Sequence, residues 1–421
     1  MKSTSTFGDH QVKYGLEYDD VLYATVNAIT GPTIKAPDGR QSATGVSVNV
    51  ISDVNLGRFY RVTRGNFNLE RQTPQKYYNF FVQDQWKVGD RLTINPGLRY
   101  EQETMSGTII QDFALKNNWA PRLGVSYDLT GDGRTKLYGN YGVFFARIPN
   151  DLAARALSAD DSFTRGDYYD AALTRPIPQG VVTTTPGGVS TSNHFILAGV
   201  GADTIDPNAK LTYTNEIVFG IEREIMPNTT FGVRYVFRNM PRILEDVANC
   251  PMAAYDLGVD ACSSVDYILT NPSSKTPINA AAIAAVPALA AVKFDDPVHT
   301  YNALEFTLNR HGSNWSTITS YRYSRLRGNF EGFYRDDNGQ SDPGISSLYD
   351  FPTNDPTYTS IGTRQFGYPG DIRFLGAKGI LPLDRPHQIK IAGNYMVKGN
   401  WNLGLNINMT SGKPLTPRSE E

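Results

Sequence analysis

The stretch WNLGLNINMT, residues 401–410, alternates strictly between two kinds of side chain. Every second residue from Trp401 to Met409 is apolar, and every second residue from Asn402 to Thr410 is Asn, Gly or Thr. Because successive side chains of a β-strand point to opposite faces, this alternation predicts a strand with one apolar and one polar face. Residues 388–397 have the same period, and only three residues separate the two runs. The pair therefore predicts a tight β-hairpin.

Four more hairpins follow from the same alternation, with reversals near residues 89–90, 130–134, 226–228 and 311–313. A lone segment near residues 10–19 opens the chain, which gives about eleven strands. The reversals within hairpins are short, whereas the connections between successive hairpins are very long. Compact soluble domains rarely tolerate connections of this length. These connections cover about residues 20–75, 104–118, 146–209, 239–296 and 326–384.

Alternation between tiny and very long connections is typical of transmembrane β-barrels, which have short periplasmic turns and large extracellular loops. The sequence therefore predicts an all-β fold, an antiparallel up-and-down transmembrane β-barrel. Its partner would be outer-membrane lipid, and its location the outer membrane of a Gram-negative-type bacterium.

Composition agrees with this prediction and excludes other classes. Hydrophobic residues make up 40% of the chain, mean hydropathy is negative, and no apolar run approaches the length of a transmembrane helix. The Ala-rich stretch 280–292 is interrupted by Pro287, which predicts a short helix within a loop. A formal net charge of −2 gives no basic field for nucleic acid.

The polar faces of the predicted strands carry charged and amide side chains of mixed sign. In a barrel these side chains would line the lumen, although each could also lie on the solvated side of an ordinary sheet. The candidates are Gln83, Arg99, Glu101, Glu103, Lys136, Glu216, Glu222, Arg234, Arg322, Lys390, Asn394, Asn402 and Asn406.

Three of the four tryptophans lie next to short turns: Trp86 precedes one, and Trp315 and Trp401 follow two others. Trp119 opens a predicted strand at the loop rim. Indole rings favour the boundary between lipid and water, so the four predict aromatic girdles. Tryptophans that fill a soluble core are the alternative.

Both cysteines, Cys250 and Cys262, lie in one predicted extracellular loop. In an oxidising compartment such a pair predicts a disulfide; two free thiols are the alternative. The five histidines are scattered, and no phosphate loop or nucleophile-elbow motif occurs. We therefore expect no metal, no cofactor and no enzymatic activity.

Several phrases are similar to those of TonB-dependent outer-membrane receptors, especially the Oar-like branch. A strand, turn and strand of this kind are formed by YNFFVQDQW and DRLTINPGLRYE. The phrases are residues 78–86, 90–101, 120–127, 135–142, 384–388 and 411–417.

The resemblance implies import of a large ligand, such as a siderophore, oligosaccharide or peptide, into the periplasm. It also implies a 22-stranded barrel, a plug and an energy-transducing TonB complex that acts through an N-terminal region. Neither a signal peptide nor a plug is recognisable in residues 1–421, so we expect a partial barrel domain and a fragment of such a receptor. A passive porin or adhesion barrel is one alternative function, and a soluble glycan-binding β-protein is another.

Overall fold

The structure is a computed structural model. It describes residues 2–27, 34–35, 41–42, 44–53, 57–66, 69–107, 112–148, 150, 157, 160–169, 194–198, 204–248, 267–285, 287–291, 293–330, 378–397, 399 and 401–414. Almost all of the regular structure in these residues is β-strand. The strands are β1 (Lys2–Phe7), β2 (His10–Asn27), β3 (Ile34–Lys35), β4 (Gln41–Ser42), β5 (Thr44–Asp53), β6 (Gly57–Asn66), β7 (Leu69–Val88), β8 (Leu92–Met105), β9 (Phe113–Asp128), β10 (Thr135–Phe145), β11 (Asp160–Tyr169), β12 (His194–Ala198), β13 (Thr204–Ile205), β14 (Tyr213–Met226), β15 (Thr229–Arg242), β16 (Glu245–Ala248), β17 (Tyr267–Thr270), β18 (His299–His311), β19 (Trp315–Gly328), β20 (Gly379–Ile380), β21 (His387–Val397) and β22 (Trp401–Thr410).

One large antiparallel sheet dominates the molecule. Its strands follow the order β1-β2-β7-β8-β9-β10-β14-β15-β18-β19-β21-β22, and β20 pairs with β19 to make a 13-stranded sheet. We call the twelve strands of this path the wall. Neighbours in the wall are also successive along the chain once the strands within the long connections are set aside. The predicted all-β, up-and-down antiparallel architecture is confirmed.

The reversals at one end of the wall are tight. Gly89 and Gly399 occupy two of them with φ of 61° and 93°, and Asn228 occupies a third with φ of 61°. Glycine adopts positive φ without a steric penalty, and asparagine tolerates it better than most residues. All five hairpins expected from the alternation are present. We call this end of the wall the turn rim and the opposite end the loop rim.

The structure corrects three sequence-based expectations about strands. The segment near residues 10–19 is not a lone strand, because β1 pairs with it from Lys2 opposite Gly15 to Phe7 opposite His10. The wall therefore has twelve strands and not about eleven. Strands also extend into the stretches expected to be loops, because β2, β7, β8, β9 and β15 are longer than predicted. Trp119 does not open its strand, because β9 begins at Phe113.

The long connections contain structure of their own. β5, β6, β11 and β12 form a four-stranded sheet, and β13, β16 and β17 form a three-stranded one. The Ala-rich stretch forms a short helix, α1 (Ala280–Ala285), followed by a 3-10 turn (Pro287–Ala291). In the described part of the chain, no helix has the length and apolar character needed to span a membrane.

A small hydrophobic core lies at the loop rim. Its residues come from two wall strands that end there, β8 and β9, and from two connections, the one between β10 and β14 and the one between β15 and β18. None is more than 7% exposed, so the two connections pack on one another in this region. The core consists of Met105, Leu115, Ile148, Leu157, Ala209, Leu211, Leu244 and Leu269.

Candidate functional site

The register of the wall sorts its side chains onto two faces. Residues directly opposite each other on neighbouring strands point to the same side of a sheet. Lys136 lies opposite Glu222, and Glu216 lies opposite Arg238. Following such pairs across the wall defines a polar face and an apolar face. All thirteen residues predicted to line a lumen share the polar face: Gln83, Arg99, Glu101, Glu103, Lys136, Glu216, Glu222, Arg234, Arg322, Lys390, Asn394, Asn402 and Asn406.

Ion pairs connect neighbouring strands on the polar face. Arg234 Nε lies 2.5 Å from Glu305 Oε2, and Lys136 Nζ lies 3.5 Å from Glu222 Oε2. Most of these side chains keep a large exposed fraction, so each pair contributes little stability, roughly 0–1 kcal/mol. Their common effect is a hydrated surface of mixed charge that can form hydrogen bonds with a neighbouring polar surface or with solute.

Two adjoining recesses open on the polar face, and both are lined by Phe144 and Glu216. One encloses about 340 Å³ beside Arg122 and Asn140. The other encloses about 620 Å³ and includes Tyr301. Aromatic rings beside opposite charges can bind ligands that combine apolar rings with polar groups. Alternation in the sequence predicts Glu216 on the polar face. It does not predict Phe144 there, because Phe144 is an aromatic residue on a face that is otherwise mainly polar.

Residues 146–148, which we call the strap, leave β10 and cross the polar face at the loop rim. Arg147 Nη2 lies 2.8 Å from Asp19 Oδ2 on β2, and its guanidinium carbon is 3.6 Å from the centre of the Tyr77 ring. The Ile148 amide donates to Glu103 Oε2 at 3.2 Å, and its carbonyl accepts from Gln75 Nε2 at 3.2 Å. The strap therefore ties β10 to strands β2, β7 and β8.

The apolar face is bounded by aromatic residues at two levels. On three strands an aromatic residue near the turn rim is followed, eight residues away on the same face, by another nearer the loop rim. Eight residues span about 27 Å along a strand, or about 20 Å across a membrane at a barrel tilt near 40°. This matches an apolar band about 25 Å tall. The pairs are Trp86 with Tyr78, Tyr127 with Trp119, and Trp315 with Tyr323.

Several aromatic rings contact one another at the level nearer the loop rim, which we call the upper level. The rings of Tyr100 and Trp119 have centres 4.9 Å apart, and those of Phe80 and Tyr100 are 5.6 Å apart. Trp119 is 46% exposed despite lying within a paired strand. Such exposed rings within a sheet need an apolar surrounding other than the protein itself.

Comparison with known proteins identifies the class of this wall. A family model described as an outer membrane beta barrel domain matches residues 2–112 and 107–421. The chain belongs to this outer membrane β-barrel domain family. The domain therefore lies in the outer membrane of a Gram-negative-type bacterium, as the sequence predicts. The predicted resemblance to TonB-dependent receptors of the Oar-like branch is also confirmed.

Among curated proteins, the β-barrel domain is 28% identical over 441 residues to a TonB-dependent transporter Oar from Myxococcus xanthus. That match covers 98% of the chain and 37% of the relative. Among solved structures, the siderophore receptor PiuA from Acinetobacter baumannii shares 10% identity with a TM-score of 0.46, over 97% of this chain and 44% of that one. The pyoverdine receptor FpvA from Pseudomonas aeruginosa shares 10% identity with a TM-score of 0.42, over 96% and 48%.

The tryptophans of the β-barrel domain lie on its apolar face. Trp86 is 39% exposed and stacks on His10 with ring centres 5.3 Å apart. Trp315 and Trp401 are the first residues of their strands. Trp401 is 72% exposed. The guanidinium carbon of Arg310 lies 5.6 Å from the centre of the Trp315 ring. That these residues and Trp119 form girdles at the lipid boundary remains a prediction.

Two other predictions concern the cysteine pair and metal binding. Cys250 and Cys262 both lie outside them, so the disulfide stays a prediction. Among the residues that the structure describes, no group of three His, Cys, Asp or Glu side chains is placed to hold a metal ion.

Proposed function

We propose that this domain forms part of the wall of an energised outer-membrane importer, in which the polar face lines a lumen that holds a plug. The lumen would pass a large ligand, such as a siderophore, oligosaccharide or peptide, into the periplasm. Its partner would be the TonB energy-transducing complex, acting through an N-terminal region. The named relative, a TonB-dependent transporter, supports this assignment, although the chain spans 37% of its length.

One observation carries the proposal: a polar face of mixed charge that continues across all twelve strands of the wall. At about 4.8 Å between strands and a tilt near 40°, twelve strands cover roughly 75 Å of a barrel's circumference. A barrel closed by these twelve strands alone would be about 24 Å in diameter between backbones. The side chains of the wall are too short to fill a lumen of that width. The interior must therefore hold water or a plug, and side chains of both signs suit hydrogen bonding to a plug.

A passive porin or adhesion barrel is the second candidate function, because it would have the same two faces. Membership of the outer membrane β-barrel domain family argues against the soluble glycan-binding alternative. The curated relative is named as a transporter, which supports the proposal that this domain has no enzymatic activity.

Energy dependence separates an importer from a passive pore. The test uses Asn140→Cys, an exposed position that lines the smaller recess, in a background where Cys250 and Cys262 are replaced by Ser. A membrane-impermeant maleimide is added to cells. If a plug moves when the TonB complex is energised, labelling should rise severalfold in energised cells over cells that lack TonB.

The matched control is Tyr141→Cys, the next residue, which lies on the apolar face. It should stay unlabelled under both conditions because lipid would cover it. Equal labelling of Asn140→Cys with and without TonB would contradict the importer and favour a passive barrel.

A further inference from the structure

The strap is held on the polar face by a buried carboxyl group, that of Glu103 near the loop end of β8. Glu103 is 0% exposed. Its Oε2 accepts a hydrogen bond from the Ile148 amide at 3.2 Å and another from Gln75 Nε2 at 3.4 Å. Its other oxygen, Oε1, is also buried and has no hydrogen-bond partner among the described residues. Burying a carboxylate with one unpartnered oxygen is costly, which favours the protonated, neutral form.

This carboxyl group lies above the apolar band. Glu103 is three residues beyond Tyr100, which is opposite Trp119 at the upper level. At about 3.4 Å per residue and a tilt near 40°, Glu103 lies roughly 8 Å above the apolar band. It is therefore outside the membrane-spanning part of the wall, where water at the loop rim can reach it once the strap detaches.

The charged and titratable groups that face Glu103 come from four elements. They are Arg147 on the strap, Glu101 on β8, Tyr77 on β7 and Asp19 on β2. Arg147 attracts the Glu103 carboxylate, but its guanidinium is paired with Asp19 Oδ2 at 2.8 Å, so its charge is shared between two acids. Burial is the largest effect and raises the pKa of Glu103 to about 7, against the hydrogen bond from Ile148 and the charge of Arg147.

The direction of the pH dependence follows from this environment. When the strap detaches, water replaces the buried surroundings of Glu103 and its pKa returns towards the ordinary value of 4.5. Seating the strap therefore takes up a proton. The stabilisation of the seated strap is fully present below a pH of about 4.5, declines above it, and is lost as the pH rises through about 7.

We propose that Glu103 makes the strap an acid-stabilised latch across the polar face at the loop rim: the protonated carboxyl group keeps the strap seated, and ionisation releases it. The Arg147 guanidinium covers the Tyr77 ring, and Tyr77 is 4% exposed. Release would therefore expose this ring and the loop ends of β2, β7 and β8 to solute. The latch adds regulation by pH to the wall, and it depends on neither a plug nor TonB.

The test is hydrogen exchange at the Ile148 amide, which is bonded to Glu103 only while the strap is seated. The full chain is placed in bilayer nanodiscs, and exchange is read by mass spectrometry with fragmentation to single residues. Each rate is divided by the rate of an unstructured peptide at the same pH, which gives a protection factor. With a pKa of about 7 in the seated state and 4.5 in the released state, we expect the protection factor to be about thirtyfold higher at about pH 5.5 than at about pH 8.5.

Glu103→Gln keeps the shape of the side chain and removes its titration, so protection of Ile148 should become equal at the two pH values. Glu101→Gln is the matched control, because Glu101 is the next acid on the same face and pairs with Arg99 at 2.7 Å. This variant should keep the pH dependence. The amide of Val218, within β14, reports on the wall as a whole and should be equally protected at both pH values.

Equal protection of Ile148 at both pH values in the unmodified protein, or greater protection at the higher pH, would overturn the proposal without any variant. Persistence of the pH dependence in Glu103→Gln, or its loss in Glu101→Gln, would overturn the assignment to Glu103. Failure of the energised labelling experiment would leave the latch intact, and failure of the exchange experiment would leave the importer intact.

Discussion

Leu308→Arg tests the assignment of the apolar face at the middle of the membrane. Leu308 lies on the apolar face opposite Thr319, which is four residues from Trp315 and four from Tyr323. It is therefore about 13 Å along the strand from each aromatic level. Its side chain is 39% exposed in the sheet, so it would contact lipid directly.

The magnitude follows from this depth. An arginine on the lipid face of a barrel costs about 2–4 kcal/mol at the midplane and about 0–1 kcal/mol near the interfaces. We expect the full midplane cost, which reduces the folding equilibrium constant by a factor of about thirty to several hundred. The assay is reversible unfolding in guanidinium chloride with the protein folded into lipid vesicles.

Asn309→Arg is the control, because residue 309 is the next position and lies exposed on the polar face. It should change the free energy of unfolding by less than about 0.5 kcal/mol. Equal costs for the two variants, or a larger cost for Asn309→Arg, would refute the facing assignment.

Three further predictions concern the loop rim and the cysteines. Leu115→Ala, at a fully buried site in the loop-rim core, should destabilise that region by about 2–5 kcal/mol and speed limited proteolysis, whereas Leu123→Ala on the exposed apolar face should not. Arg147→Ala should cost only about 0.5–1 kcal/mol, because its ion pair is half exposed, yet should raise amide hydrogen exchange at Ile148; unchanged exchange would argue against the strap. Thiol labelling at Cys250 and Cys262 should require prior reduction, and labelling without reductant would exclude the disulfide.

Much of the wall could be predicted from the sequence because the patterns that indicate strands and turns involve only neighbouring residues. Alternation of side chains in a strand depends only on the neighbouring residues, and short turns carry their own signals, such as Gly89 and Asn228 with positive φ. Alternation alone therefore predicts that the thirteen lumen candidates share one face, as the register shows.

In two parts of the wall, β1 and the beginning of β9, the sequence pattern that indicates a strand is weak. β1, with the sequence KSTSTF, is nearly all polar, so neither face is apolar and the strand is visible only through its pairing with β2. The beginning of β9 is concealed by an irregularity. Between the pairs Glu101 with Asn118 and Glu103 with Leu115 the register shifts, and Asn117 has φ of 66°. An extra residue of this kind interrupts the alternation that indicates a strand.

The loop-rim core and the strap could not be predicted at all. Met105 and Leu244 are far apart in the sequence, and they share a core only because the connections between them pack on one another. Arg147 contacts Asp19 across several intervening strands, and no local pattern encodes that contact. These features depend on tertiary packing between residues that are distant in the sequence.

The most direct test of the central claim places a spin label at each position from 216 to 222 of β14 in turn, with the protein in a bilayer. Accessibility to oxygen, which concentrates in hydrocarbon, is compared with accessibility to a water-soluble nickel chelate. We predict that oxygen accessibility peaks at Ile217, Phe219 and Ile221, and that nickel accessibility peaks at Glu216, Gly220 and Glu222. Two profiles that rise and fall together, or oxygen peaks at the polar positions, would contradict a wall with lipid on one side and water on the other.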